Sequence, residues 1–181
     1  VVAVFRDDSF GCTGTLIASR YVLTAAHCSA GITHVILDTT DFAQGGTRID
    51  VGEVHVVEKY WTTFDLALLE LVEDAPINPQ LLLLDCLVDN YLYDGASARL
   101  AGFGATNENG TEFDSLLMEA HTTVVDASCT DFNYGCNEEV SPGGEMVVGG
   151  DGIDTCIGDS GGPVFILTEL GERRAGITSR G

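Results

Sequence analysis

Lysine is almost missing from this sequence. Lys59 is the only one in 181 residues, and eight basic side chains face 28 acids for a net charge of −20. A surface of that sign repels phosphate backbones, which argues against nucleic acid as a partner; it reads as a device for solubility or for salty surroundings, and composition does not separate that from steering of cationic substrates. Long apolar runs are missing too. No stretch approaches the roughly eighteen residues that a membrane-spanning helix needs, so no membrane association is expected. There is no C-x-x-C pair and no cluster of His with Cys, which argues against zinc. The six cysteines then read as a disulfide framework in an oxidising compartment. The first residues carry no initiator methionine and no leader-like pattern, so the sequence reads as an interior segment of a longer product, trimmed at both ends.

Sustained helical periodicity is also absent, apart from a weak turn near Thr24–Cys28. What the chain has instead is many short β-rich runs separated by Gly, Asp and Asn: VVAVF, TLIA, YVLTA and HVIL early, and SARLAGFG, LLMEAHTTVV, PVFIL and RRAGITS later. RIDVGEVHVV alternates apolar and polar residues as a half-buried strand does. These features predict an all-β sandwich or barrel. Between Val72 and Gly95 the pattern breaks into prolines, acids and a leucine run, which reads as a connection between two β units. The expected organisation is an N-terminal unit over 1–75, a linker over 76–95 and a C-terminal unit over 96–181. Asn109-Gly110-Thr111 is a glycan acceptor sequence in a eukaryotic secretory setting.

The chemistry concentrates in DTCIGDSGGP, residues 154–163. Gly158, Ser160 and Gly162 match the G-x-S-x-G pattern of a nucleophile elbow, but that arrangement requires an acid and a histidine after the serine. Residues 161–181 contain no histidine, their acids are Glu169 and Glu172, and Pro163 with VFIL denies the helix that follows an elbow. The other reading is a glycine-rich loop whose N–H groups converge on a reacting carbonyl oxygen. Serine needs a base, and the base needs a group that fixes its tautomer. His34, His55 and His121 sit in alternating strands, where they are expected to face solvent. His27 lies in LTAAHC among small residues, and Asp65 opens the apolar run DLALLEL. The chain order His27, Asp65, Ser160 is that of the chymotrypsin type.

LTAAHC, DLALLEL and GDSGGP together resemble the three signature blocks of the trypsin/chymotrypsin family of serine endopeptidases. The resemblance spans the whole sequence. It implies two packed six-stranded antiparallel Greek-key β-barrels with the active site in the cleft between them. It implies a triad of His27, Asp65 and Ser160 working through an acyl-enzyme, with an oxyanion hole from the N–H groups of Gly158 and Ser160. Asp159 corresponds to the acid that receives a new N-terminal ammonium on proteolytic activation. Ser179 corresponds to the serine that bonds the catalytic aspartate and, with Gly181, lines the substrate strand. Asp154 falls at the floor of the primary specificity pocket, which implies cleavage after Arg or Lys.

The resemblance also implies a Cys12–Cys28 bridge. A further family pair is absent, with Ala98 and Ile166 at the matching places, and Val148 replaces the usual partner of Cys129, leaving Cys136 as its substitute. Cys86 and Cys156 have no assigned partner. Arg180 stands where the family has tryptophan, and the short region after His27 lacks the family's calcium loop, so no metal and no cofactor are expected. The resemblance implies a secreted, extracellular, monomeric enzyme whose partners are protein substrates and protein protease inhibitors. The alternative is a non-catalytic, protease-like binding protein.

Overall fold

The computed structural model describes residues 1–180 except Trp61, Thr63, Glu108 and Asp151; Gly181, expected on the substrate strand, lies outside the described residues. The β-rich runs of the first half form β1 (Val2–Arg6), β2 (Ser9–Ala18), β3 (Tyr21–Thr24), β4 (Ile32–Leu37), β5 (Thr47–Val56) and β6 (Ala67–Leu71). These pair antiparallel and close into a barrel of order β1-β2-β3-β6-β5-β4. Closure removes the exposed edges that an open sheet would present. It also turns one face of each strand inward, where Val4, Leu16, Val22, Val35, Leu37 and Leu69 are at most 2% exposed. Each such side chain contributes roughly 1.5–3 kcal/mol by burial.

β5 alternates as its sequence predicts up to Val51. The pairing with β6 then slips between Val51 and Glu53, at Gly52, and beyond the bulge Val54, opposite the buried Leu69, packs against the barrel core. An extra residue opposite one partner residue reverses the facing of the strand beyond it. The predicted turn near Thr24–Cys28 is a short 3-10 turn, Ala26–Cys28, that carries His27.

After a helix in the connection, α1 (Cys86–Tyr91), the second half forms β7 (Ser97–Gly102), β8 (Met118–Asp126), β9 (Val147–Val148), β10 (Pro163–Thr168) and β11 (Gly171–Ile177). Their order is β11-β10-β7-β8-β9, all antiparallel. The two-unit β architecture thus holds, but among the described residues the second unit is an open five-stranded sheet where a closed six-stranded barrel was expected. β9 has only two residues, and residues of both edge strands line one cavity of about 680 Å³. In this sheet Ala98 and Ile166, at the places of the absent cysteine pair, are direct cross-strand partners and both buried. Burial of the Arg174 guanidinium, which has no hydrogen-bond partner among the described residues, pushes its pKa down to about 9.

The two units meet over an aromatic cluster. Phe10 and Phe42 of the first half lie 6.4 Å and 5.5 Å, between ring centroids, from Phe103 of the second, which is fully buried. Aromatic pairs at these separations add to simple area burial.

Candidate active site

His27 leaves the barrel at the end of β3, on a turn tied down by the Cys12–Cys28 disulfide. Asp65 lies two residues before β6, which pairs with β3, so the sheet sets histidine and aspartate side by side. Asp65 Oδ1 accepts the His27 main-chain N–H at 2.9 Å, and Oδ2 lies 2.7 Å from His27 Nδ1. Ser179 donates its hydroxyl to the same Oδ2 at 2.7 Å. Burial alone would raise the Asp65 pKa, but the hydrogen bonds from His27 and Ser179 outweigh it and bring it down to about 2. A carboxylate accepting several donors in a partly buried place stays charged.

Ser160 sits in the turn before β10. Its carbonyl accepts the Thr13 N–H at 2.9 Å and lies 3.8 Å from Cys28 Sγ, which packs the loop against the disulfide beside His27. Among the described residues no hydrogen bond joins Ser160 Oγ to His27. Three N–H groups of this loop are committed: Asp159 to the Cys156 carbonyl, Gly161 to Thr178 and Gly162 to Asp159. Those of Gly158 and Ser160 have no partner among the described residues. Gly158 has φ +97° and Gly161 has φ +81°, backbone that favours glycine.

Asp159 points away from solvent. Its carboxylate accepts the N–H groups of Gly104 and Cys156, both at 2.9 Å; burial raises its pKa and these two bonds oppose the rise. Gly102 and Gly104 leave room for this side chain, since a methyl on either would collide with it. Asp154 is exposed, accepts the Thr155 N–H at 2.7 Å, and lines the 680 Å³ cavity together with Asp65 and Ser179.

Arg180 reaches across the cleft, donating to Glu145 at 2.7 Å and to the Gly135 carbonyl at 2.8 Å. With His27, Tyr60, Asp65 and Ser179 it lines a second hollow of about 340 Å³. The Glu145 pKa falls because the bonds from Arg180 and the Asn137 N–H exceed the cost of its burial. The segment that Arg180 ties down is closed by a Cys129–Cys136 disulfide, while Cys86 and Cys156 are free thiols.

A histidine, an aspartate anchoring it and a glycine-rich serine loop packed against the disulfide beside that histidine match the parts of an acyl-transfer site, although Ser160 lines neither cavity. The family model described as Trypsin matches residues 1–181. The chain belongs to the trypsin family. It is a serine-type endopeptidase, similar to a trypsin of Saccharopolyspora erythraea at 32% identity over 191 residues, covering 100% of this chain and 80% of that one. Chymotrypsin-like elastase family member 1 of Felis catus is 33% identical over 183 residues, covering 93% and 67%. Among solved structures, mouse neuropsin superposes with a TM-score of 0.80 at 26% identity, covering 98% of this chain and 80% of that one.

The other histidines of this protease lie apart from the site. His55 and His121 are exposed on their strands, as expected. His34 corrects the expectation for its type: it is 3% exposed, stacked on Phe5 with ring centroids 4.8 Å apart, and burial lowers its pKa. Among the described residues two side-chain groups bring three metal-capable atoms together, Cys12/His27/Cys28 and Glu53/His55/Glu70. The first has no thiolate to offer, because both sulfurs are in the disulfide. The second is a surface cluster on β5 and β6 that the sequence did not single out.

Several residues of the site escaped sequence reasoning, among them Glu145, Gly104 and, deepest, Thr13. Thr13, fully buried on β2, donates its hydroxyl to the Gly158 carbonyl at 2.9 Å and accepts the Phe103 N–H at 3.1 Å. Nothing in the run CTGTL marks it out from an ordinary strand threonine.

Proposed function

We propose that this trypsin-family protease is secreted and cleaves after Arg or Lys, with His27, Asp65 and Ser160 acting through an acyl-enzyme. The observation that supports the triad most directly is the anchoring of His27. Asp65 takes up both its main-chain N–H and Nδ1, which leaves Nε2 as the nitrogen able to accept a proton. Ser160 Oγ attacks the scissile carbonyl while His27 takes its proton and later returns it to the leaving amine. The uncommitted N–H groups of Gly158 and Ser160 face the developing oxyanion. Asp159, held by the Gly104 and Cys156 N–H groups, is the acid that a new N-terminal ammonium would draw away on proteolytic activation. The units 1–75, 76–95 and 96–181 correspond to barrel, connection and serine-bearing sheet. The disulfides fit an extracellular location, and a monomer captured by protein inhibitors fits the reading.

The preference for Arg or Lys rests on Asp154. Relatives named trypsin and elastase are about equally similar, so the names alone do not choose. Asp154 brings a carboxylate to the cavity that Ser179 lines, and a cationic side chain entering there gains a charge-assisted partner, bidentate for Arg. Apolar side chains leave the charge unpaired. A peptide panel varied only at the cleaved residue tests this. Asp154→Ser should cut kcat/KM for Arg substrates by about 100-fold or more, as expected from breaking a desolvated pair worth about 3–5 kcal/mol, and spare apolar ones. A wild-type preference for Phe or Leu that Asp154→Ser leaves unchanged would refute the assignment.

A further inference from the structure

Among the residues that hold the serine loop from outside, one buried threonine of the first barrel grips it twice. Thr13 N–H donates to the Ser160 carbonyl at 2.9 Å and Thr13 Oγ1 donates to the Gly158 carbonyl at 2.9 Å. The same Oγ1 accepts the Phe103 N–H at 3.1 Å, and the Thr13 carbonyl accepts the Thr24 hydroxyl at 2.8 Å. Thr13, Thr24 and Phe103 all lie at zero exposure. One residue of the first barrel therefore holds both residues whose N–H groups have no partner among the described residues, and it also bonds Phe103 of the second half beside them. We propose that Thr13 is a positioning residue for the oxyanion loop: its hydroxyl holds the Gly158–Asp159 peptide, and with it the spacing and relative orientation of Gly158 and Ser160, whose N–H groups are the proposed oxyanion donors.

The physical case lies in what the hydroxyl alone supplies. Any residue but proline at position 13 keeps the main-chain bond to Ser160; among aliphatic side chains of this size only Thr or Ser can both donate to Gly158 and accept from Phe103. Valine has the same shape, but it strands a buried carbonyl and a buried N–H, and the Gly158 carbonyl regains a partner only by turning its peptide. Gly158, with φ +97°, has no Cβ to resist that turn. Two residues along the same strand, Thr15 Oγ1 is buried with no partner among the described residues. Thr15→Val therefore makes the same chemical change in the same barrel without touching the loop.

The inference rests on the triad reading, and its test separates the two. Turnover and the rate of modification by a phosphonylating serine reagent are measured for wild type, Thr13→Val, Thr13→Ser and Thr15→Val, with melting temperature as the measure of folding. Removing one oxyanion donor outright costs about 10²–10³ in kcat, so misdirecting one should cost about 10-fold or more. Thr13→Val should lose that factor in kcat and in phosphonylation rate, with KM within about threefold of wild type. Thr13→Ser should stay within about threefold of wild type in both, and Thr15→Val should match wild type. Folded Thr13→Val with wild-type kcat would overturn the inference, as would folded Thr13→Ser with more than about 10-fold loss. If Thr13→Val does not fold, the Thr13→Ser result decides. All four proteins are the full-length, proteolytically activated forms; failure of that wild type to hydrolyse peptides or to be labelled at Ser160 would overturn the triad reading and this inference with it, whereas a labelled wild type matched by folded Thr13→Val overturns this inference alone.

Discussion

Replacing Asp65 with asparagine tests the site and the stability of the fold in one variant. The wild-type carboxylate receives two bonds from His27 and one from Ser179, and its pKa falls from 3.8 to about 2. At 1.36 kcal/mol per unit this is about 2 kcal/mol of native-state stabilisation. Because the folded pKa is the lower one, that contribution is present above pH 4 and disappears as pH falls towards 2. Asparagine is nearly isosteric but cannot ionise. Its amide N–H groups, if turned to Nδ1, select the imidazole tautomer with the proton on Nε2, the nitrogen that must accept from Ser160. In the chymotrypsin-type template this tautomer error lowers kcat by about 10⁴, equivalent to about 5 kcal/mol of barrier. The assays are hydrolysis of a peptide amide at neutral pH and urea unfolding between pH 2 and 7. Wild type should lose about 2 kcal/mol more than Asp65→Asn on going from pH 4.5 to pH 2. Retention of turnover within tenfold of wild type, or identical pH dependence of unfolding, would refute the reasoning.

Gly161→Ala places a methyl against the Thr24 hydroxyl and the Thr13 carbonyl in backbone of φ +81°, and should destabilise by at least about 2 kcal/mol; an unchanged urea midpoint would show that the loop relaxes freely. Removing the Cys12–Cys28 bridge, which closes a loop of 16 residues, by a double alanine replacement should cost about 3 kcal/mol, and a loss below about 0.5 kcal/mol in calorimetry would contradict the chain-entropy account. Added sodium chloride should raise the melting temperature, since 28 acids repel one another against eight basic groups and are screened over about 8 Å at physiological ionic strength. A steady fall in melting temperature with salt would mean that pairs such as Arg99–Glu172 dominate instead.

The sequence was most legible where chemistry demands particular residue types in a set order. His27, Asp65 and the glycines around Ser160 could be picked out because few arrangements serve a serine nucleophile. Strand positions in the first barrel were legible for a different reason, since the alternation of β5 arises directly from one buried face. What stayed hidden depends on neighbours distant in the chain. The burial of His34 is decided by Phe5 on the adjacent strand, and the slip at Gly52 by the register of β6. α1 is too short to display helical periodicity. Thr13 matters only because Gly158 lies 145 positions away in sequence and one hydrogen bond away in space.

The two disulfides are both local, spanning 16 and 7 residues. Neither links the barrel to the second sheet, and the cross-strand pair Ala98–Ile166 puts apolar contact where a long-range bridge was absent. Each bridge restricts the unfolded chain only within the short loop it closes. Outside those two loops, an oxidised, unfolded molecule explores the same conformations as a reduced one. Its sulfur pairing is settled by neighbours along the chain and makes no demand on the order in which distant strands assemble. For these two bridges, oxidation and assembly of the β units are separable events, and a denaturant-unfolded, oxidised chain keeps the right pairs while it searches for its strands.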